Sequence, residues 1–150
     1  RMTLEEEIKG RFRNEFHKGM INLSYTTRKL GYEFTQALKK HDISEQQYNV
    51  LRILRGFRAE APLSIGFIKE RMLDRDSDVS RIVDRLYANN MVTRCENPTD
   101  RRQKAVEITE KGLELLANML ECEKQVDKLL GNLTEDEAKQ LNFLLDKIRG

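Results

Sequence analysis

Residues 76–109 read DSDVSRIVDRLYANNMVTRCENPTDRRQKAVEIT, and how they fold decides the rest. At about 100° per residue, Val79, Ile82, Val83 and Leu86 fall on one side of a helix, and Ser77, Ser80, Arg81, Asp84 and Ala88 fall on the other. The first face suits a core. The second carries short hydroxyls and arginine where an ordinary solvated surface carries lysine and glutamate, and this is the composition of a helix that enters a duplex groove. Asn89 and Asn90 end the helix, since Asn tolerates the left-handed conformation that a helix end often needs. Residues 91–96 and 104–108 are short and strand-like, with Val106 and Ile108 on one face, and pair across the loop 97–103, NPTDRRQ. A helix followed by a basic-tipped hairpin is a winged helix. The fold expected is mainly α with a small β-hairpin wing: a winged helix-turn-helix domain plus long terminal helices that form a dimerisation region.

The flanking sequence fits this frame. Ser44 and Gln47 have capping-box spacing, and Tyr48, Val50, Leu51, Leu54 and Phe57 give the helix they start an apolar face. Residues 58–63 read as a loop, and Ser64 caps a short helix with Ile65, Phe67, Ile68 and Met72 facing inward. That helix, the turn 73–76 and the helix after it make the helix-turn-helix. Before it, residues 4–39 read as one long helix striped by Phe12, Phe16, Met20, Leu23, Leu30, Phe34 and Leu38. After it, a helix from Thr109 ends at Gly131 and Asn132, and a capping box of Thr134 with Glu137 starts the last, striped by Leu141, Leu144, Leu145 and Ile148. The chain is expected to be a single domain, with the winged helix-turn-helix at about 43–109 and dimerisation helices at 4–39 and 110–149. The long stripes need a counterpart, and a twofold homodimer is the commonest way to supply one.

Hydrophobic residues make up 39% and charged residues 35%, with no tryptophan and two prolines, which suits a helical, strongly solvated protein. No run approaches the roughly 20 apolar residues of a membrane span, and no series resembles a signal peptide, so a cytoplasmic protein without membrane contact is expected. Arg1, ahead of Met2, reads as a remnant of expression. Cys95 and Cys122 are too few for a disulfide scaffold, and neither they nor His17 and His41 have metal-ligand spacing. No metal and no cofactor are expected. With no glycine-rich phosphate loop, zinc-protease motif or nucleophile elbow, an enzyme is not expected either. The net charge of +2 hides an asymmetry: residues 1–104 hold 21 Lys/Arg against 15 Asp/Glu, and residues 105–150 hold 6 against 10. The part with the reading helix is the one suited to a polyanion.

The order of elements and several motifs resemble the MarR family of bacterial transcriptional regulators over nearly the full length. The matching stretches are ISEQQYNVL at 43–51, SRIVDRL at 80–86, and NPTDRR at 97–102 running on to ITEKG at 108–112. The resemblance implies a dimeric winged helix-turn-helix protein whose recognition helices enter successive major grooves while the wings track flanking minor grooves. Many members are repressors released by a small anionic or aromatic ligand, a metal or an oxidant, so such a repressor is expected, with a winged-helix protein-interaction module or an effector-independent DNA-binding protein as the alternatives. Two departures stand out. Residues 72–78, MLDRDSD, are more acidic than the family's usual turn, and no cysteine precedes Cys95, so the amino-terminal redox-sensing route has no matching residue.

The DNA-facing set expected is Arg75, Ser77, Asp78, Ser80, Arg81, Arg85, Asp100, Arg101, Arg102 and Lys104. A guanidinium at Arg81 can bond O6 and N7 of a guanine, or it can pair with Asp78 or Asp84 at helical spacing. Ser77 and Ser80 let the helix sit deep and can bond a phosphate or base edge, and Ser77 can also serve as a cap. Arg85 can touch DNA or, as in the family, pair inside the domain. By resemblance Arg102 enters the narrow minor groove, Asp100 braces it and Arg101 is left for phosphate. Arg75, Arg94 and Lys104 are expected to contact phosphate only. An effector pocket is expected where the long helices meet the winged domain, near Phe16, Met20, Tyr25, Phe57 and Met72, residues that serve equally as plain core.

Overall fold

Capping sets where most of the helices begin. The computed structural model describes residues 2–150 apart from 98 and 101, and the side chains of all of these except 125, 126 and 129. The chain runs α1 (Leu4–Ile8), α2 (Glu15–Lys40), α3 (Glu45–Gly56), β1 (Leu63–Ser64), α4 (Ile65–Glu70), α5 (Val79–Ala88), β2 (Val92–Glu96), β3 (Lys104–Ile108), α6 (Glu110–Asn118), α7 (Leu120–Leu130) and α8 (Glu135–Arg149). Thr3, Ser44 and Thr134 each close a capping box with the Glu or Gln three residues on. Ser64, Asp78 and Thr109 each accept from the backbone N–H three residues on. Each cap contributes about 1 kcal/mol and pins a helix start to one residue.

The architecture is mainly helical with a small antiparallel sheet, as the sequence leads one to expect, and it divides into two units: Thr35–Lys124, and Arg1–Phe34 together with Gln125–Gly150. In the unit Thr35–Lys124 the sheet order is β1-β3-β2, so β3 lies in the middle. Leu63 stands opposite Val106, while Val92, Arg94 and Glu96 stand opposite Ile108, Val106 and Lys104. Val50 and Leu51 of α3, Ile68 of α4, Val83 and Leu86 of α5, Val92 and Val106 of the sheet, and Leu116 and Met119 at the end of α6 are buried together as the core. Each such aliphatic side chain is worth about 1.5–3 kcal/mol on burial. β1 was expected to be loop. At two residues it is too short for any periodicity to reveal, and it exists because β3 offers an unpaired edge.

A half-buried polar link joins α3 to the start of α7. The Tyr48 hydroxyl donates to the Glu123 carboxylate, and Arg55 lies 3.5 Å from the same carboxylate oxygen. Burial, and then the bond to Glu123, push the Tyr48 phenol well above its ordinary pKa, so it stays a donor across the neutral range.

In the unit Arg1–Phe34 with Gln125–Gly150, α1 is fastened to α2 by Glu5–Lys18 at 2.6 Å and Glu7–Lys29 at 3.2 Å. The Lys18 ammonium lowers the Glu5 carboxyl below its usual value, and Glu5 in turn raises Lys18. Much apolar surface here is uncovered: Phe16 is 89% exposed, Met20, Tyr32, Phe143 and Ile148 are also exposed, and α8 buries none of its residues.

Two long helices expected from the sequence are each divided. The stretch 4–39 breaks because Lys9 takes a left-handed φ of 53° and Asn14 starts α2 afresh, its side-chain oxygen accepting from the His17 N–H at 2.8 Å. Phe12 therefore sits in the connection, edge-on to the His17 ring, and not on a helical stripe. The stretch from Thr109 breaks at Met119, whose burial in the core turns the chain between α6 and α7. Among the described residues no helix is long and apolar enough to cross a membrane.

Replacing Tyr48 with Phe removes the only hydroxyl that this link needs and keeps the ring. Urea unfolding should show a loss of about 1–3 kcal/mol, from the half-buried Glu123 carboxylate left short of a donor. Unchanged stability would remove the link from the account.

Candidate nucleic-acid interface

Recognition geometry begins with the sidedness of α5. Val79, Ile82, Val83 and Leu86 are buried, which leaves Ser80, Arg81, Asp84 and Arg85 exposed as a ridge. A concave cleft flanks the ridge on each side. One, of about 460 Å³, is lined by Ile65 and Gly66 of α4, Ser80 and Asp84 of α5, Arg94 of β2, and Arg102 and Lys104 of the wing. The other, of about 420 Å³, is lined by Ser44, Gln46 and Gln47 at the start of α3 and by Asp78, Arg81 and Arg85. The structure thus brings together Ser80, Arg102 and Lys104 on one side and Asp78, Arg81 and Arg85 on the other.

Of the alternatives at Arg81, neither ion pair forms among the described residues. Asp78 is the N-cap, accepting from the Arg81 backbone N–H at 3.2 Å, and Asp84 turns to Arg94. The Arg81 side chain is exposed on the ridge. Ser77 corrects the sequence reading: it is 3% exposed and neither on the ridge nor the cap, and its hydroxyl finds no hydrogen-bond partner among the described residues. The helix starts at Asp78, so the 100° rotation that assigns faces does not reach Ser77, whose N–H instead bonds back to the Asp74 carbonyl. Arg75 is exposed in the turn before α5.

At the wing tip, the Asn97 N–H donates to the Gln103 carbonyl at 3.0 Å and closes the hairpin. The Asp100 carboxylate accepts from the Arg102 backbone N–H at 3.0 Å and lies 3.5 Å from its Nε, and the Arg102 side chain is 93% exposed. Asp100 and Arg102, paired in the sequence reading, are thus in contact. Arg101 lies outside the described residues.

The stretch 108–112 locks the wing to the end of α5. Asn90 takes a left-handed φ of 61°, and the Asn90 and Met91 N–H groups bond back to the Tyr87 and Leu86 carbonyls, a Schellman closure. The Thr109 hydroxyl donates to the Asn90 carbonyl at 2.7 Å, its N–H to the Met91 carbonyl at 3.0 Å, and Lys111 Nζ to the Asn89 carbonyl at 2.9 Å. Gly112 leaves room for this: a Cβ there would stand 2.5 Å from the Met91 carbonyl oxygen and 2.7 Å from Ile108.

Tyr87 was not singled out from sequence, and Arg94 and Asp84 were not expected to meet. The Arg94 guanidinium pairs with Asp84 and lies over the Tyr87 ring, 4.0 Å from its centroid. Arg94 is therefore committed to α5 and does not stand free as the phosphate contact expected of it. Asp84 and Tyr87 are three apart on one helix and so are legible as neighbours, but nothing in sequence joins them to a strand residue beyond a turn.

The residues expected near an effector pocket divide between the units. In Thr35–Lys124, Met72 is buried core, and Phe57 meets Phe67 edge-on at 5.1 Å with the Arg71 guanidinium over both rings. In the other unit Phe16 and Met20 are exposed, and Tyr25 is half-buried beside a groove of about 610 Å³ between α1 and α2.

This combination of elements defines a winged helix-turn-helix protein. The model of the MarR family matches residues 43–104. The multiple antibiotic resistance protein MarR of Escherichia coli is 30% identical over 113 residues, 71% of this chain and 74% of that protein. The Staphylococcus aureus MepR–DNA complex superposes with a TM-score of 0.74 at 21% identity, covering 92% of this chain and 97% of that one. Bordetella bronchiseptica BpsR, whose structure concerns regulation of its DNA binding by 6-hydroxynicotinic acid, gives a TM-score of 0.71 at 22% identity over 89% and 99%. The chain belongs to the MarR family of transcriptional regulators.

Replacing Gly112 with Ala should cost about 1–3 kcal/mol in denaturant midpoint analysis, because backbone and not a flexible side chain must move. A variant as stable as the parent would show that the α5–wing junction can relax around a methyl group.

Proposed function

We propose that the chain is a homodimeric, sequence-specific repressor that binds an inverted repeat in duplex DNA and is released by a small-molecule effector. The observation that carries the reading is the exposed α5 ridge with the braced, 93% exposed Arg102 beside it. In this reading Arg81 and Ser80 meet base edges, Arg102 enters the minor groove, and Arg75, Arg85, Arg101 and Lys104 meet phosphates. Asp78 and Asp100 act by holding Arg81 and Arg102 in place. Ser77, buried, supports the turn. The uncovered apolar side chains of α2 and α8, Phe16, Phe143 and Ile148 among them, support a second copy as the partner of those helices. DNA in the MepR complex and the effector control of BpsR support the two ligands assigned here. The reading is of a cytoplasmic binding protein and assigns the chain no catalytic step.

Selection of bound sequences from random duplexes with the purified protein should return an inverted repeat with half-sites about one helical turn apart. Arg102→Ala should weaken binding across sequences, and Arg81→Ala should also relax preference at one position per half-site, each by roughly 1–3 kcal/mol per half-site. Affinity should fall steeply with salt as counterions are released. If the protein has no salt-sensitive duplex affinity to lose, or both variants hold the site as tightly as the parent, the reading fails.

A further inference from the structure

The ridge of α5 carries an acid where a polyanion is to dock, and the structure supplies a reason. An uncompensated carboxylate facing phosphates is repelled, and on a reading helix it weakens binding unless something neutralises it. Asp84 lines the cleft between α5 and the wing together with Ser80, Arg102 and Lys104, and its side chain is 63% exposed. Its Oδ1 is held by Arg94, whose side chain is only 23% exposed. Arg94 is itself fixed twice. Its backbone lies in β2 opposite the buried Val106 of β3, and its guanidinium rests on the Tyr87 ring. The result is a neutralised carboxylate pinned by a strand and an aromatic face. One charge-assisted bond leaves a carboxylate with further acceptor lone pairs. In a major groove the group that such an acceptor selects is an exocyclic amine, and Asp or Glu takes the N4 amine of cytosine.

We propose that Asp84 is a base-reading residue that accepts a hydrogen bond from the N4 amine of a cytosine in each half-site, with Arg94 and Tyr87 as the residues that position it. The inference rests on the DNA-binding reading above and adds to it a specific contact. It also gives the two sides of the ridge different tasks: Arg81 offers donors on one side and Asp84 an acceptor on the other, so neighbouring base pairs are told apart by opposite chemistry.

The test is sequence selection with the full chain, parent against Asp84→Asn, Asp84→Ala and Arg94→Met, each checked for a cooperative thermal transition. Asp84→Asn retains the shape and an oxygen for Arg94 but gains a donor, and Asn pairs with adenine N6 and N7. At one position per half-site the parent should prefer cytosine by roughly tenfold, the Asn variant should move to adenine, and the Ala variant should lose preference there. Arg94→Met should lower affinity and blunt that same cytosine preference. A parental profile retained by the Asn and Ala variants would make Asp84 a brace only and overturn the inference while leaving DNA binding intact. A parent that selects no duplex at all would overturn both.

Discussion

Val79, Ile82, Val83 and Leu86 pack into the core, and a helix turning by about 100° per residue then has no freedom left in what it shows to solvent. Everything at the interface depends on that constraint. Had α5 been buried one residue out of phase, with positions 78, 81, 82 and 85 inward, Arg81 and Arg85 would be driven into the core. The four aliphatic side chains fix the rotation of the helix, Asp78 fixes its first residue, and the Asn90 turn fixes its last. The polar ridge is a by-product of how the apolar side is satisfied.

The end of α5 extends this logic to the wing. A helix leaves its last carbonyls without partners, and here the residues that supply them sit at the end of β3 and the start of α6. Thr109 caps α6 with its hydroxyl oxygen while donating the hydroxyl proton to Asn90, so one side chain closes two helices. Arg94 adds a second tie from β2 to the body of α5. Helix α5 and the wing are thereby tied together at both the end and the body of the helix.

Much of this was legible beforehand. The recognition helix showed itself through a clean division of apolar and polar positions, the hairpin through two β-prone runs around a Pro-Thr-Asp loop, and the helix starts through capping spacings, all of which are short-range signals. Failures came where the deciding contact was distant in sequence. β1 exists only because β3 has an edge, and Arg94 is engaged because the sheet places it against Tyr87. Ser77 is buried because the cap fell one residue later than the face pattern implied. The division of the stretch 4–39 had a local cause, the left-handed Lys9 and the Asn14 cap, masked by an apolar spacing that ran on through the break.

α8 has a capping box and a mixture of charges, and Ala138, Leu141 and Leu145 are half-buried, but Phe143 and Ile148 stay exposed. Fifteen residues without one fully buried side chain are marginal in water, since nucleation is costly and each turn adds little. Whatever shields Phe143 and Ile148 therefore decides how fully the helix is wound. Anything that binds the wound form stabilises it, so order in this element becomes a property of its surroundings as well as of the chain.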